Sequence, residues 1–346
     1  MTLQLSGEIP MYEAQLILKQ LAVIKIDATL WGGRKKLRPE DLKLGDGSRL
    51  PPSELASLGS KRIIDPEAIR IFQRLKQEAE RACLRVGSRF LGGYAVPTEK
   101  LKHLITELDE IRRQFFEARD TFLSGYDKTI ESWVARHPDF AMAIRLAVDP
   151  IDSVAASLKF DYVIFRVSTL EDNEENIGHN ESGRLDQKVS ALSETLFREI
   201  AMDAKALVHD SLIGRTSVTR KALNPLRRIR EKLEGLSFLD PRVQPIITTI
   251  GDLLSRVPKT KPLCGTFLQE VLATAWLLTE PDSLCRHGEG LIEEILSSTP
   301  STQPDTAEAV HSSDTLVNPS LFDYIPGDQI GASTPTCLSG VREYWF

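Results

Sequence analysis

The sequence predicts a mainly α-helical protein. It reads as a helical bundle with a long antiparallel, coiled-coil-like helical hairpin, a small β-sheet pairing an N-terminal strand with a mid-chain strand, and a disordered C-terminal tail. Three observations predict this. Apolar residues recur every three or four positions along two neighbouring stretches, at about residues 65–136. Two short runs rich in β-branched and aromatic residues alternate with period two instead. From Thr299 the composition shifts to Ser, Thr, Pro, Asp and Ala. The organisation then reads as an α+β region over 1–170, a helical region over 184–298 and a tail over 299–346.

The stretch from Ala14 to Trp31 begins as a short helix and passes into LAVIKIDATLW. Val23, Ile24, Ile26 and Thr29 are β-branched, and Ala22, Ile24, Ile26 and Ala28 share one alternating face, the pattern of a strand. DLKLGDGSRLPPSEL is turn and loop chemistry. DPEAIRIFQRLKQEAERACLRVG carries its own punctuation: Asp65 suits the N-cap, Pro66 the first helical position and Gly87 the stop. Ala68, Phe72, Leu75, Ala79, Ala82 and Val86 line one face of this helix. SRFLGGYAVP reads as a short extended turn. A longer helix opens at Thr98 and extends toward Arg136, with Leu101, Leu104, Leu108, Ile111, Phe115, Ala118 and Phe122 on its seam and an interruption at Gly125. Two adjacent helices with such seams most simply fold back on each other, either as core helices of a bundle or as a protruding arm.

HPDFAMAIRLAVDPIDSVAASL reads as two short helices broken before Pro150. In KFDYVIFRVSTL, Phe160, Tyr162 and Ile164 alternate with Asp161, Val163 and Phe165, a half-buried strand and the candidate partner of the strand near Ile24. EDNEENIGHNESG is an acidic, solvated loop without calcium-loop spacing. From Arg184 a long helix places Leu185, Val189, Leu192, Leu196, Ile200, Ala204 and Leu207 on one face. A second helical stretch covers 217–233 with a boundary or kink at Pro225. DPRVQPIITTIGDLLSRVP, GTFLQEVLATAWLLT and GEGLIEEILSS complete the ordered part.

With 43 Lys and Arg against 49 Asp and Glu, the formal net charge is −6, so any nucleic-acid binding must come from a local patch. Cys83, Cys264, Cys285 and Cys337 are scattered without disulfide-framework or metal spacing, so reduced thiols are expected. No basic segment followed by an apolar stretch opens the chain, and no apolar run approaches the roughly 18 residues of a membrane span. A cytoplasmic protein with no membrane contact is the expectation.

The candidate functional residues fall into three groups. Gly32 and Gly33 follow the first strand and precede Arg34, Lys35, Lys36 and Arg38. A nucleotide-cradling loop needs spaced glycines and a hydroxyl after the lysine, which this stretch lacks; it reads either as a turn with a charged exit or as a modest anion site. Arg215, Arg220, Lys221, Arg227, Arg228, Arg230 and Lys232 form a second basic cluster, read either as a solvated helix surface or as a phosphate contact. In the tail, Leu321, Phe322, Tyr324 and Ile325, and then Tyr344, Trp345 and Phe346, are bulky apolar residues in polar surroundings; they either fold back on the body or dock on a partner. No His-Glu-x-x-His or Gly-x-Ser-x-Gly motif occurs, and Cys285 with His287 and the upstream Cys264 falls short of a zinc set. No catalytic residue, metal or cofactor is nominated.

KIDATLWGGRKKLRPEDL, LASLGSKRIIDPEAIRIFQRLKQEAERACLRVGSRFLGGYAVP and FLSGYDKTIESWVARHPDF together resemble the bacterial and phage family called domain of unknown function 3150, over roughly Leu16 to Val167 and more weakly beyond. That resemblance implies a protein of mobile genetic elements, encoded near a cobaltochelatase-like AAA ATPase and a von Willebrand factor A protein. It implies a non-catalytic adaptor or scaffold with such a protein as partner, and it transfers no active-site residue. A nucleic-acid-binding accessory of replication or recombination is the alternative, and an enzyme of unrecognised type a third.

Overall fold

Helix α1 (Met11–Gln20) runs directly into strand β1 (Leu21–Thr29) in the computed structural model, which describes residues 11–42, 56–168, 178–258 and 262–290. All described residues belong to one compact unit. Strands β2 (Arg34–Lys36) and β3 (Ser60–Arg62) pair antiparallel as a separate ribbon. Helix α2 (Pro66–Val86) is followed by β4 (Ser88–Phe90) and β5 (Gly93–Pro97), then by α3 (Leu101–Ser124), α4 (Tyr126–Arg136), α5 (Ala141–Arg145), α6 (Ile151–Ser157) and β6 (Lys159–Phe165). After α7 (Gly178–Leu207) come β7 (Ser217–Val218), α8 (Asn224–Gly235), α9 (Val243–Ser255), β8 (Leu263–Cys264), α10 (Gly265–Leu277) and α11 (Pro281–Gly288). The protein is mostly helical with small antiparallel sheets.

The main sheet has the order β4-β5-β1-β6 and is antiparallel throughout. The N-terminal strand does pair with the mid-chain strand: Ile24 lies opposite Ile164 and Ala28 opposite Phe160. The other two strands come from the segment read as an extended turn. There Leu91 (φ 46°) and Gly92 (φ 76°) form a two-residue connection whose positive φ angles match the twist of a hairpin.

Hydrophobic cores lie on both faces of this sheet. On one face, Ile24, Val96 and Phe160 pack with Phe72, Leu75, Leu108 and Phe115. Phe72, Phe115 and Phe160 are fully buried, each contributing about 1.5–3 kcal/mol relative to an exposed ring. On the other face, Leu21, Val23, Phe90 and Ala95 pack with α1, α7 and the helices that follow α7. The first half of β1 is therefore buried on both sides, and only from Lys25 does its outer face open to solvent.

The caps of α2 follow the sequence signals: the Asp65 side chain accepts from the Glu67 amide at 3.0 Å, and Gly87 ends the helix. Gly87 is extended rather than left-handed; it is needed because a Cβ there would meet the Ala95 carbonyl oxygen at 2.4 Å. Helices α2 and α3 run antiparallel, with Phe72 against Phe122 near one end and Arg85 paired with Glu107 near the other. Both lie on the sheet, so they are core helices and not a protruding arm. Gly125 divides the long predicted helix into α3 and α4. Helix α7 begins at Gly178, inside the stretch read as an acidic loop. The stretch 217–233 is not one helix: Ser217 and Val218 pair with β8, a 3₁₀ turn covers Arg220–Leu223, and α8 starts at Asn224, so that Pro225 sits in its first turn, where no amide is needed.

Candidate functional site

The ribbon β2–β3 has an unusual composition. Its cross-strand partners are Arg34 with Arg62, Lys35 with Lys61, and Lys36 with Ser60. Like charges directly opposite each other destabilise a strand pair, so the ribbon needs help from elsewhere. Side chains alternate between its faces. On the inner face, Lys35 pairs with Asp149, 114 positions away in the chain, and Lys61 pairs with Asp41. Trp31 Nε1 donates to the second Asp149 oxygen at 3.0 Å, and the buried Tyr126 hydroxyl donates to the Asp149 carbonyl at 3.0 Å. Burial, with the nearby Asp149 and Asp127 charges, pushes the Tyr126 phenol up to about 12. The hydrogen bond from Lys61, and then that from the Arg38 amide, hold the Asp41 carboxyl below the usual carboxylate range.

On the outer face, Arg34, Lys36 and Arg62 are exposed and form no ion pair among the described residues. Ser60 is the remaining outward residue of the ribbon.

Between the inner face of the ribbon and α5 with its flanks lies a groove of about 730 Å³. Lys35, Lys36, Arg38 and Lys61 line it together with Glu40, Asp41, Asp139 and Asp149, so its charges balance. Phe140, Met142, Ala143, Leu146, Ala147 and Val148 supply an apolar wall. Phe140 is 50% exposed, Met142 76% and Leu146 79%, and Ile151 nearby is also exposed. Such large apolar side chains concentrated beside a groove mark an interaction surface more than isolated ones do.

Three members of the second basic cluster are engaged within the fold. Arg227 donates to Asn224 Oδ1 at 2.8 Å and to the Arg220 carbonyl, so it closes the start of its own helix. Arg230 pairs with Glu234 at 2.8 Å. Lys232 is buried, 4% exposed, and pairs with Glu199 at 2.8 Å. This corrects its place among surface cations; a lysine on the apolar side of an amphipathic helix needs a buried acid, and α7 provides one. Glu199 also accepts from the Arg89 amide at 3.1 Å, joining α7 and α8 to β4. Arg228 is exposed, as are Arg215, Arg220 and Lys221, which precede α8. The two basic segments flank different cores: Ile63 and Ile64 next to the ribbon belong to one, Leu226 and Ile229 of α8 to the other.

His287 is buried and its Nε2 lies 2.6 Å from Thr249 Oγ1. That hydroxyl also lies 3.1 Å from the Pro245 carbonyl oxygen. Among the described residues no three His, Cys, Asp or Glu side chains converge as a metal set. Burial pushes the Cys83 thiol up to about 12, which marks a packed core residue and not a nucleophile. Among the described residues no helix is long and apolar enough to cross a membrane. Leu321, Phe322, Tyr324, Ile325, Tyr344, Trp345 and Phe346 lie outside the described residues.

Sequence reasoning singled out Arg34, Lys35, Lys36 and Arg38, and the structure gathers them on and beside one ribbon. It missed Lys61 and Arg62. The signal was available: Ser60-Lys61-Arg62 directly precedes the β-branched Ile63 and Ile64. It also missed Phe140, Met142 and Leu146, which sit in a helical rhythm that reads as buried.

Fold and site together define a class: a helical protein with cores on both faces of a small antiparallel sheet, carrying a charged ribbon beside an open, partly apolar groove. The chain belongs to the family described as Protein of unknown function (DUF3150), whose profile matches residues 18–280. No curated protein and no solved structure gives a significant match to the chain.

Proposed function

We propose that the protein is a non-catalytic adaptor of a mobile genetic element, which docks a protein partner in the groove between the ribbon and α5. The observation that carries this is the exposure of Phe140, Met142 and Leu146 along one wall of that groove. An apolar wall combined with charged groups in the same groove supplies the two kinds of contact that a protein-docking site uses. The balanced charges of the lining orient a partner and do not select a polyanion. The occupant that fits is an apolar-faced segment of the AAA ATPase implied by the family resemblance.

The test is capture of that purified ATPase by the full-length chain, compared with the double variant Met142→Asp, Leu146→Asp. Both side chains point to solvent, so stability should change by no more than about 0.5 kcal/mol per site. Capture by the parent and its loss in a folded double variant is the expected outcome. Equal capture by both, or none by either, removes the reading.

A further inference from the structure

We infer that the outer face of the β2–β3 ribbon is a binding face for the phosphodiester backbone of a nucleic acid. The groove and the outer face lie on the same ribbon but differ in chemistry. On the inner face, Asp149 and Asp41 neutralise Lys35 and Lys61. On the outer face, Arg34 and Arg62 stand directly opposite each other, with Lys36 two residues along where that face meets the groove, and no described acid forms an ion pair with any of them. This placement costs the ribbon stability, because like charges across a strand pair repel.

The composition of the face selects the ligand. It consists of Arg34, Lys36, Arg62 and Ser60, with no apolar side chain. Protein partners are gripped largely through apolar contact, which this face lacks and the groove wall offers. Phosphate oxygens need only charge and forked donors, which two guanidiniums and an ammonium supply. Two strands about 4.8 Å apart are also narrow enough to approach a groove of duplex DNA about 12 Å wide.

The test is fluorescence anisotropy of the full-length chain with labelled duplex and single-stranded DNA over a salt series. Three phosphate contacts predict a log–log salt slope of about −3 for duplex and about −2 for single strands. The double variant Arg34→Ala, Arg62→Ala should lower the magnitude of that slope by about 2. It also removes the cross-strand repulsion, so its melting temperature should equal or exceed the parent's, and lost binding cannot then be blamed on unfolding. Neither arginine lines the groove, so an uncharged groove variant, Met142→Ser with Leu146→Ser, should bind DNA like the parent, which keeps this test separate from the adaptor reading. An unchanged slope in the arginine variant overturns the inference. So does binding of polyglutamate as tight as that of DNA, which would assign the face to an acidic protein.

Discussion

The neighbouring glycines 32 and 33 face different demands. Gly32 has open space where a Cβ would stand. Gly33 has φ 59°, and a Cβ there would lie 2.5 Å from Ile64 Cγ2. Its carbonyl also accepts from the Ile63 amide at 2.9 Å, which starts the ribbon pairing. Gly32→Ala should therefore be nearly silent. Gly33→Ala should destabilise by at least about 1–2 kcal/mol from the left-handed backbone alone, read from urea unfolding; a silent Gly33 variant would refute the assigned turn. The pair is thus a strand-to-ribbon turn. Sequence reading reached the turn but could not tell which glycine is needed, because the reason is Ile64, 31 positions further along the chain.

At the level of elements, the ribbon depends on carboxylates outside its own strands. The folded-state pKa of Asp41 lies below its unfolded value of about 3.9. Its contribution is therefore fully present above that value and is lost as pH falls through the folded-state pKa. The stability gap between the parent and Asp41→Asn, measured by thermal unfolding, should be open at pH 5 and close on further acidification. A gap that persists unchanged below the folded-state pKa would show that Asp41 acts by something other than its charge. Elements with local signals were legible: α2 from Asp65, Pro66 and Gly87, and β1 and β6 from their alternation. The β4–β5 hairpin was not, because strands of three and five residues are too short to show a period, and its turn puts Leu91 at a position that usually carries Asn or Asp. The groove was illegible for another reason. Its closing pair, Lys35 and Asp149, are distant in sequence, and nothing local in either residue announces the other.

Across the whole molecule, the buried pair of Glu199 and Lys232 joins α7, α8 and, through the Arg89 amide, the edge of the main sheet. Glu199→Ala strands a buried ammonium and should cost about 3–5 kcal/mol, whereas Glu199→Leu combined with Lys232→Met should recover most of that. Urea denaturation of the three proteins decides it; a mild single variant would mean that Lys232 escapes to water. β1 has a role of similar reach, since it belongs to both cores. Leu21 to Ile24 are apolar on either side, so sliding this half by one residue would merely exchange one greasy surface for another. The alignment must be policed by the other half, where the same slip would drive Lys25 and Asp27 inward and turn Ile26 and Ala28 out to water. The most soluble stretch of the strand is thus the part that tells the buried stretch where to stop.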